Sequence, residues 1–178
     1  MNRFLTYVTL TALLSSSTAV WRLPTHAVTP WVSQRQSSSS YVGLRYRTLP
    51  DNLQNLGGWM IGAPLSSPEP EYVVSRVQQG NRQMLWLELI LSRDSAGKPL
   101  FEVKDVLDLP SLKPTEQLAS GWCLVGGKRD PEVIAIAVSE DAEYWRQIGR
   151  AWRANRQTIR FEEISPSNIV CENPGWGV

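Results

Sequence analysis

One histidine and two cysteines are all that this 178-residue chain holds of the side chains most used in nucleophilic and metal chemistry. The histidine, His26, lies in a stretch with the layout of an export leader. Without that stretch the chain has no histidine, which excludes Ser-His and Cys-His catalysis and the usual zinc sets. Net charge is also scarce. It is +1 overall, and −1 once Arg3 and Arg22 are lost with the leader. Neither a nucleic-acid binder nor an acidic solvating chain is expected from such a balance. The apolar run Phe4–Leu14 covers 11 residues, whereas a helix needs about 20 to span a bilayer. No cysteine adjoins the run, so a lipoprotein anchor is excluded.

The N-terminal residues fit secretion. A basic Arg3, the apolar run, and then small and polar residues make up a signal-peptide pattern. Cleavage is possible after Ala19 or Ala27; the second is favoured because Pro24 breaks the apolar segment just upstream. An uncleaved anchor is the alternative. The expected organisation is a signal peptide at 1–27, a flexible Ser-rich tether at 28–40 and one globular domain at 41–178.

Within that domain, "YVGLRYRTL" predicts a first strand and "PDNLQNLGG" a short helical turn starting at Pro50. Tyr72–Gln78 and Arg82–Leu91 flank "QGN" and predict a hairpin. "MLWLELIL" is apolar on both faces, as a central strand should be. "LFEVKDVLDL" predicts the next strand. "IRFEEI" and "SNIVCEN" predict two short final ones. "SEDAEYWRQIGRAWRANRQ" predicts a long helix: Ser139 caps it, and Ala142, Trp145, Ile148 and Trp152 share a face. The expected fold class is therefore α+β, an antiparallel-rich β-sheet with one long C-terminal amphipathic helix packed on one face.

In an exported chain Cys123 and Cys171 are most economically a disulfide. Two buried free thiols, or a metal pair, are the alternatives.

"GWCLVGGKRDPEVIAIA" resembles a phosphate loop only superficially. Gly127 displaces the lysine by one place, Arg129 stands where a hydroxyl should, and a β-branched run follows instead of a helix. Cys123 lacks the histidine that would activate it as a nucleophile. The reading that remains is strand, turn, strand, with Gly126, Gly127, Asp130 and Pro131 shaping the turn and Lys128 and Arg129 as its solvated tip. Glu162, Glu163, Glu172 and Asp130 are the carboxylates that a hydrolase would use. Glu162 and Glu163 are adjacent on a strand, so they point to opposite faces.

Two surface features are candidates for binding. Arg146, Arg150 and Arg153 fall on one face of the predicted helix, suited to a carboxylate, a phosphate or an anionic headgroup. Trp59, Trp122 and Trp176 each sit beside a glycine and form a candidate aromatic platform for a sugar or peptide.

The segments "CLVGGKRDPEVIAIA", "AWRANRQTIRFEEI" and "IVCENPGWGV" resemble a group of small exported cyanobacterial proteins. The resemblance covers roughly Leu85 to the end. It implies the periplasm or thylakoid lumen as compartment and carries over no catalytic residue. The expected function is a non-catalytic exported binding or structural module, with no cofactor or metal. Its partner would be a protein or an anionic envelope component, not nucleic acid. The alternative is a carboxylate-dependent hydrolase acting on envelope glycan.

Overall fold

The computed structural model describes residues 39–61 and 70–177. The expected signal peptide, and the tether up to residue 38, lie outside the described residues. Ser39–Tyr41 form a short 3-10 turn, and thirteen strands follow among the described residues. They are β1 Arg45–Tyr46, β2 Gln54–Met60, β3 Tyr72–Gln79, β4 Arg82–Arg93, β5 Pro99–Asp108, β6 Glu116–Ser120 and β7 Cys123–Val125. The chain continues through β8 Lys128–Arg129, β9 Val133–Val138, β10 Tyr144–Trp145, β11 Ile148–Asn155, β12 Arg160–Ile164 and β13 Ile169–Glu172.

These strands form three antiparallel sheets. A front sheet runs β1-β5-β4-β3-β2, a middle sheet β12-β11-β9-β6, and a back sheet β10-β13-β7-β8. Tyr72, Val74, Leu85 and Leu87 of the front sheet pack on Ile134, Ala154 and Phe161 of the middle one. From the opposite face of the middle sheet, Ala119, Val133, Ala135, Ala137 and Ala151 pack on Cys123, Trp145, Ile169 and Cys171. A third cluster, around Met84, Trp86 and Val103, lies on the outer face of the front sheet. Tyr41, Leu44, Tyr46 and Leu49 from the segment before β2 cover it.

The fold is thus all-β among the described residues, and the predicted α+β class is wrong. Residues 139–157, expected as a helix, instead supply β10 and β11. The physical reason is double burial. Ala151, Trp152 and Ala154 are all buried, because β11 has a sheet on each side. A strand covered on both faces loses its period-2 alternation, so its apolar positions can match a helical spacing by accident. Alanine adds to the confusion: it favours helices, yet here it allows two sheets to approach. Gly149 is the overlooked signal. It sits where the β9–β11 register shifts between Ile148 and Arg150, a bulge that glycine accommodates and a helix interior disfavours.

Other elements follow the sequence closely. β3 and β4 form the expected hairpin, in register from Tyr72–Leu89 to Gln79–Arg82. Met84 to Glu88 are fully enclosed, as a central strand requires. Gly126 and Gly127, with φ of 56° and 80°, form the two-residue turn between β7 and β8. Lys128 and Arg129, expected at a solvated turn tip, instead form β8. The predicted first strand shrinks to Arg45–Tyr46. The predicted helical turn at Pro50 is a β-turn closed by Leu53 N–H donating to Pro50 O at 2.9 Å.

Candidate functional site

β7 and β13 place the two cysteines opposite each other. Cys171 pairs with Cys123 in the ladder, and the two are joined as a disulfide between Cα atoms 4.0 Å apart. No cysteine is free. The bridge locks the floor of the back sheet, on which the most distinctive surface feature stands.

That feature is a cleft of about 450 Å³ at the border of the middle and back sheets, lined by Leu118, Ala119, Ser120, Trp122, Trp145 and Pro174, with Glu172 and Asn173. Trp122 is 54% exposed. Its ring is nevertheless held. The Arg129 guanidinium lies 4.3 Å from the ring centre, and the same group meets Glu172 Oε1 at 2.5 Å. The β7–β8 turn and the β7–β13 ladder bring these three residues together, with Glu172 N–H bonding Trp122 O at 3.0 Å. Trp145 contributes a buried surface, its Nε1 donating to Glu140 O at 3.1 Å. The Asn173 amide is engaged through both its nitrogen and its oxygen. Its Nδ2 donates to Ala142 O and Glu140 O, and its Oδ1 accepts from Gly175 N–H.

A larger cleft of about 720 Å³ includes Tyr72, Asp130, Glu132, Arg153 and Arg156 in its lining. Its charges cancel. Arg153 meets Asp130 at 2.7 Å and Glu132 at 3.2 Å, and Arg156 meets Glu132 at 2.6 Å. Each carboxylate is held by a guanidinium, which leaves neither an anion cradle nor an uncommitted pair of acids. Among the described residues no group of three His, Cys, Asp or Glu could hold a metal.

The structure separates the three arginines. Arg146 lies between β10 and β11, with its backbone N–H bonded to the Glu140 carboxylate at 2.7 Å. Arg150 and Arg153 lie an odd number of positions apart on β11, and so on opposite faces. Arg150 sits 4.7 Å from the Trp152 ring centre and pairs with Glu163 at 3.2 Å, while Arg153 enters the larger cleft. The expected stripe existed only on a helix.

The tryptophans do not form a platform either. Trp59 packs against Gly121, and its Nε1 donates to Pro131 O at 2.8 Å. Trp176 is 51% exposed in a turn closed by Trp176 N–H to Asn173 O. Of the three, Trp122 lines the 450 Å³ cleft, and Trp59 and Trp176 do not. The candidate carboxylates are also dispersed. Glu162 accepts from Asn155 and Thr158, Glu163 pairs with Arg150, Asp130 with Arg153, and Glu172 with Arg129.

Glu88 is a charge-bearing residue that the sequence reading passed over. It is completely buried in β4 and accepts hydrogen bonds from the Tyr46 hydroxyl and, at 2.5 Å, from Ser75 Oγ. Burial pushes its carboxyl above the usual range, and the two hydroxyls partly offset this. Burial, followed by the nearby Glu88, pushes the Tyr46 hydroxyl up strongly. The signal was present as one acid inside "MLWLELIL". Its role is to tie the segment before β2 to the front sheet.

No family model, curated protein or solved structure matches the chain.

Proposed function

We propose that this chain is an exported, non-catalytic binding module that engages its partner in the cleft at Trp122. One observation carries the reading. A half-exposed tryptophan is fixed by an arginine that is itself fixed by an acid, and the tryptophan and the acid each adjoin a cysteine of the Cys123–Cys171 bridge. An exposed indole costs hydration free energy, and holding it rigid gives stability little. The same arrangement lowers the ordering cost of binding at its free surface.

Export is part of the proposal. The leader pattern and the disulfide favour an oxidising compartment, the periplasm or thylakoid lumen that the resemblance to exported cyanobacterial proteins implies. No helix among the described residues is long and apolar enough to cross a membrane. A non-catalytic role fits the engagement of the candidate carboxylates: Asp130, Glu163 and Glu172 pair with arginines, and Glu162 accepts from Asn155 and Thr158.

Capture from the envelope or lumen fraction of the source organism tests the site. Trp122→Ala should lose the captured partner, while Trp176→Ala, an equally exposed tryptophan outside the cleft, should keep it. Retention by Trp122→Ala would assign binding to another surface.

A further inference from the structure

β6 is the edge strand of the middle sheet, and the ladder fixes the direction of its backbone groups. Along β9, Val138 N–H bonds Gln147 O, and Glu132 O accepts from Ala154 N–H, so even-numbered positions face β11. Ser139 N–H bonds Thr115 O, so odd-numbered positions face β6. The register sets Ala119 against Ala135 and Gln117 against Ala137. Gln117 and Ala119 therefore bond to β9, and Glu116, Leu118 and Ser120 turn their N–H and C=O groups outward. Lys113 O takes the Glu116 N–H. For Leu118 and Ser120 no backbone partner is present among the described residues.

This edge is one wall of the Trp122 cleft. The other outer strands are guarded as edges usually are. β2 is bulged between Asn55 and Gly58, β8 is Lys128–Arg129, and β12 carries Arg160, Glu162 and Glu163. β1 and β10 are two residues long. Leu118-Ala119-Ser120 has no charge, no proline and no register shift.

The free polar groups of the cleft distinguish between ligand classes. A sugar needs side-chain donors and acceptors around a stacked ring, but both donors of the Asn173 amide are taken and Glu172 is held by Arg129. What remains is the Ser120 hydroxyl and a run of extended backbone without a partner among the described residues, and the complement of that run is another extended backbone. The loop bordering Trp145 and Asn173 carries three acids, Glu140, Asp141 and Glu143, against one base, Arg146, which favours a basic partner.

We infer that β6 receives an extended segment of another polypeptide as a fifth strand of the middle sheet. The segment is apolar at alternate positions, where it meets Trp122 and Pro174, and carries lysine or arginine beside them. The inference rests on the binding role proposed for the cleft.

The test is a titration of the ¹⁵N-labelled chain with a pool of capped Lys-Xaa-Lys-Xaa-Lys peptides, Xaa being Val, Phe or Tyr. The Leu118 and Ser120 amides and the Trp122 indole should shift together, and the same peptides N-methylated throughout should not bind. Ser120→Pro removes an outward donor without touching the β9 ladder. It should weaken peptide binding about tenfold, as losing one backbone hydrogen bond implies, with the melting temperature nearly unchanged. Should this variant unfold, the methylated peptides and Trp122→Ala carry the test. Equal binding of methylated peptides would overturn the inference. So would a concentration-dependent dimer that already protects both amides, which would make a second copy the occupant. A Trp122 shift with N-acetylglucosamine oligomers and unmoved Leu118 and Ser120 amides would overturn strand addition but leave the binding function standing. Silence of every cleft residue to both probes would count against both.

Discussion

Arg129 lies between Trp122 and Glu172, its guanidinium carbon 4.3 Å from the indole centre and its Nη2 2.5 Å from the carboxylate. Both contacts are at the surface. The ion pair is worth little in water, and the ring contact about 0.5–1 kcal/mol. Arg129→Gln should therefore shift stability by less than about 1 kcal/mol. Its effect should fall on the ring: ¹⁵N relaxation at the Trp122 indole should report new motion. An indole that stays rigid in this variant would mean that packing, not Arg129, holds it.

The disulfide should dominate the stability of the back sheet. It closes a 48-residue separation between β7 and β13. The double variant Cys123→Ala/Cys171→Ala should lose about 4 kcal/mol by the chain-entropy model. Urea unfolding of the oxidised chain and the variant measures the difference. Coincident midpoints would contradict a stabilising role.

Glu88 sets a pH dependence of defined sign. Its carboxyl is raised from an ordinary value of 4.5 by burial. Through the window from that ordinary value up to the raised one, the folded chain holds a proton that the unfolded chain has released. Its contribution to stability is therefore largest below the window and falls as pH rises through it. Glu88→Gln removes this slope and should be more stable than the parent at neutral pH. Urea midpoints of both proteins between about pH 4 and about pH 8 give the comparison. Parallel curves would mean that Glu88 titrates normally.

Two glycines should respond oppositely to substitution. A Cβ on Gly58 would lie 2.6 Å from Val74 O, a backbone atom of the neighbouring strand. Gly58→Ala should cost about 1–3 kcal/mol, the range for overpacking. Gly126 has φ of 56° and open space around it, a conformation that asparagine tolerates. Gly126→Asn should leave the melting temperature nearly unchanged. Equal effects at the two sites would contradict the close β2–β3 approach.

The sequence was most legible where an element has one dominant cause. The "QGN" turn between apolar strands specified β3 and β4, and two cysteines behind an expected export leader pointed to the bridge. It was least legible in the middle sheet, where β9 and β11 are covered on both sides. There, Ala151, Trp152 and Ala154 carry no alternation, and the apparent helix generated the false arginine stripe with it. The tryptophan reading failed in part for a related reason. A glycine neighbour brought Trp59 into packing with Gly121, but left Trp122 and Trp176 exposed. Only the β7–β13 ladder, a pairing distant in sequence, gives Trp122 its cleft.

The most direct measurement is the indole resonance of Trp122 in the full chain, followed during titration with the lysine-alternating peptides. Binding in this cleft predicts that it moves in step with the Leu118 and Ser120 amides, while the Trp59 and Trp176 indoles stay in place. An unmoved Trp122 together with shifts at Arg150 or Arg153 would contradict the cleft as the binding site.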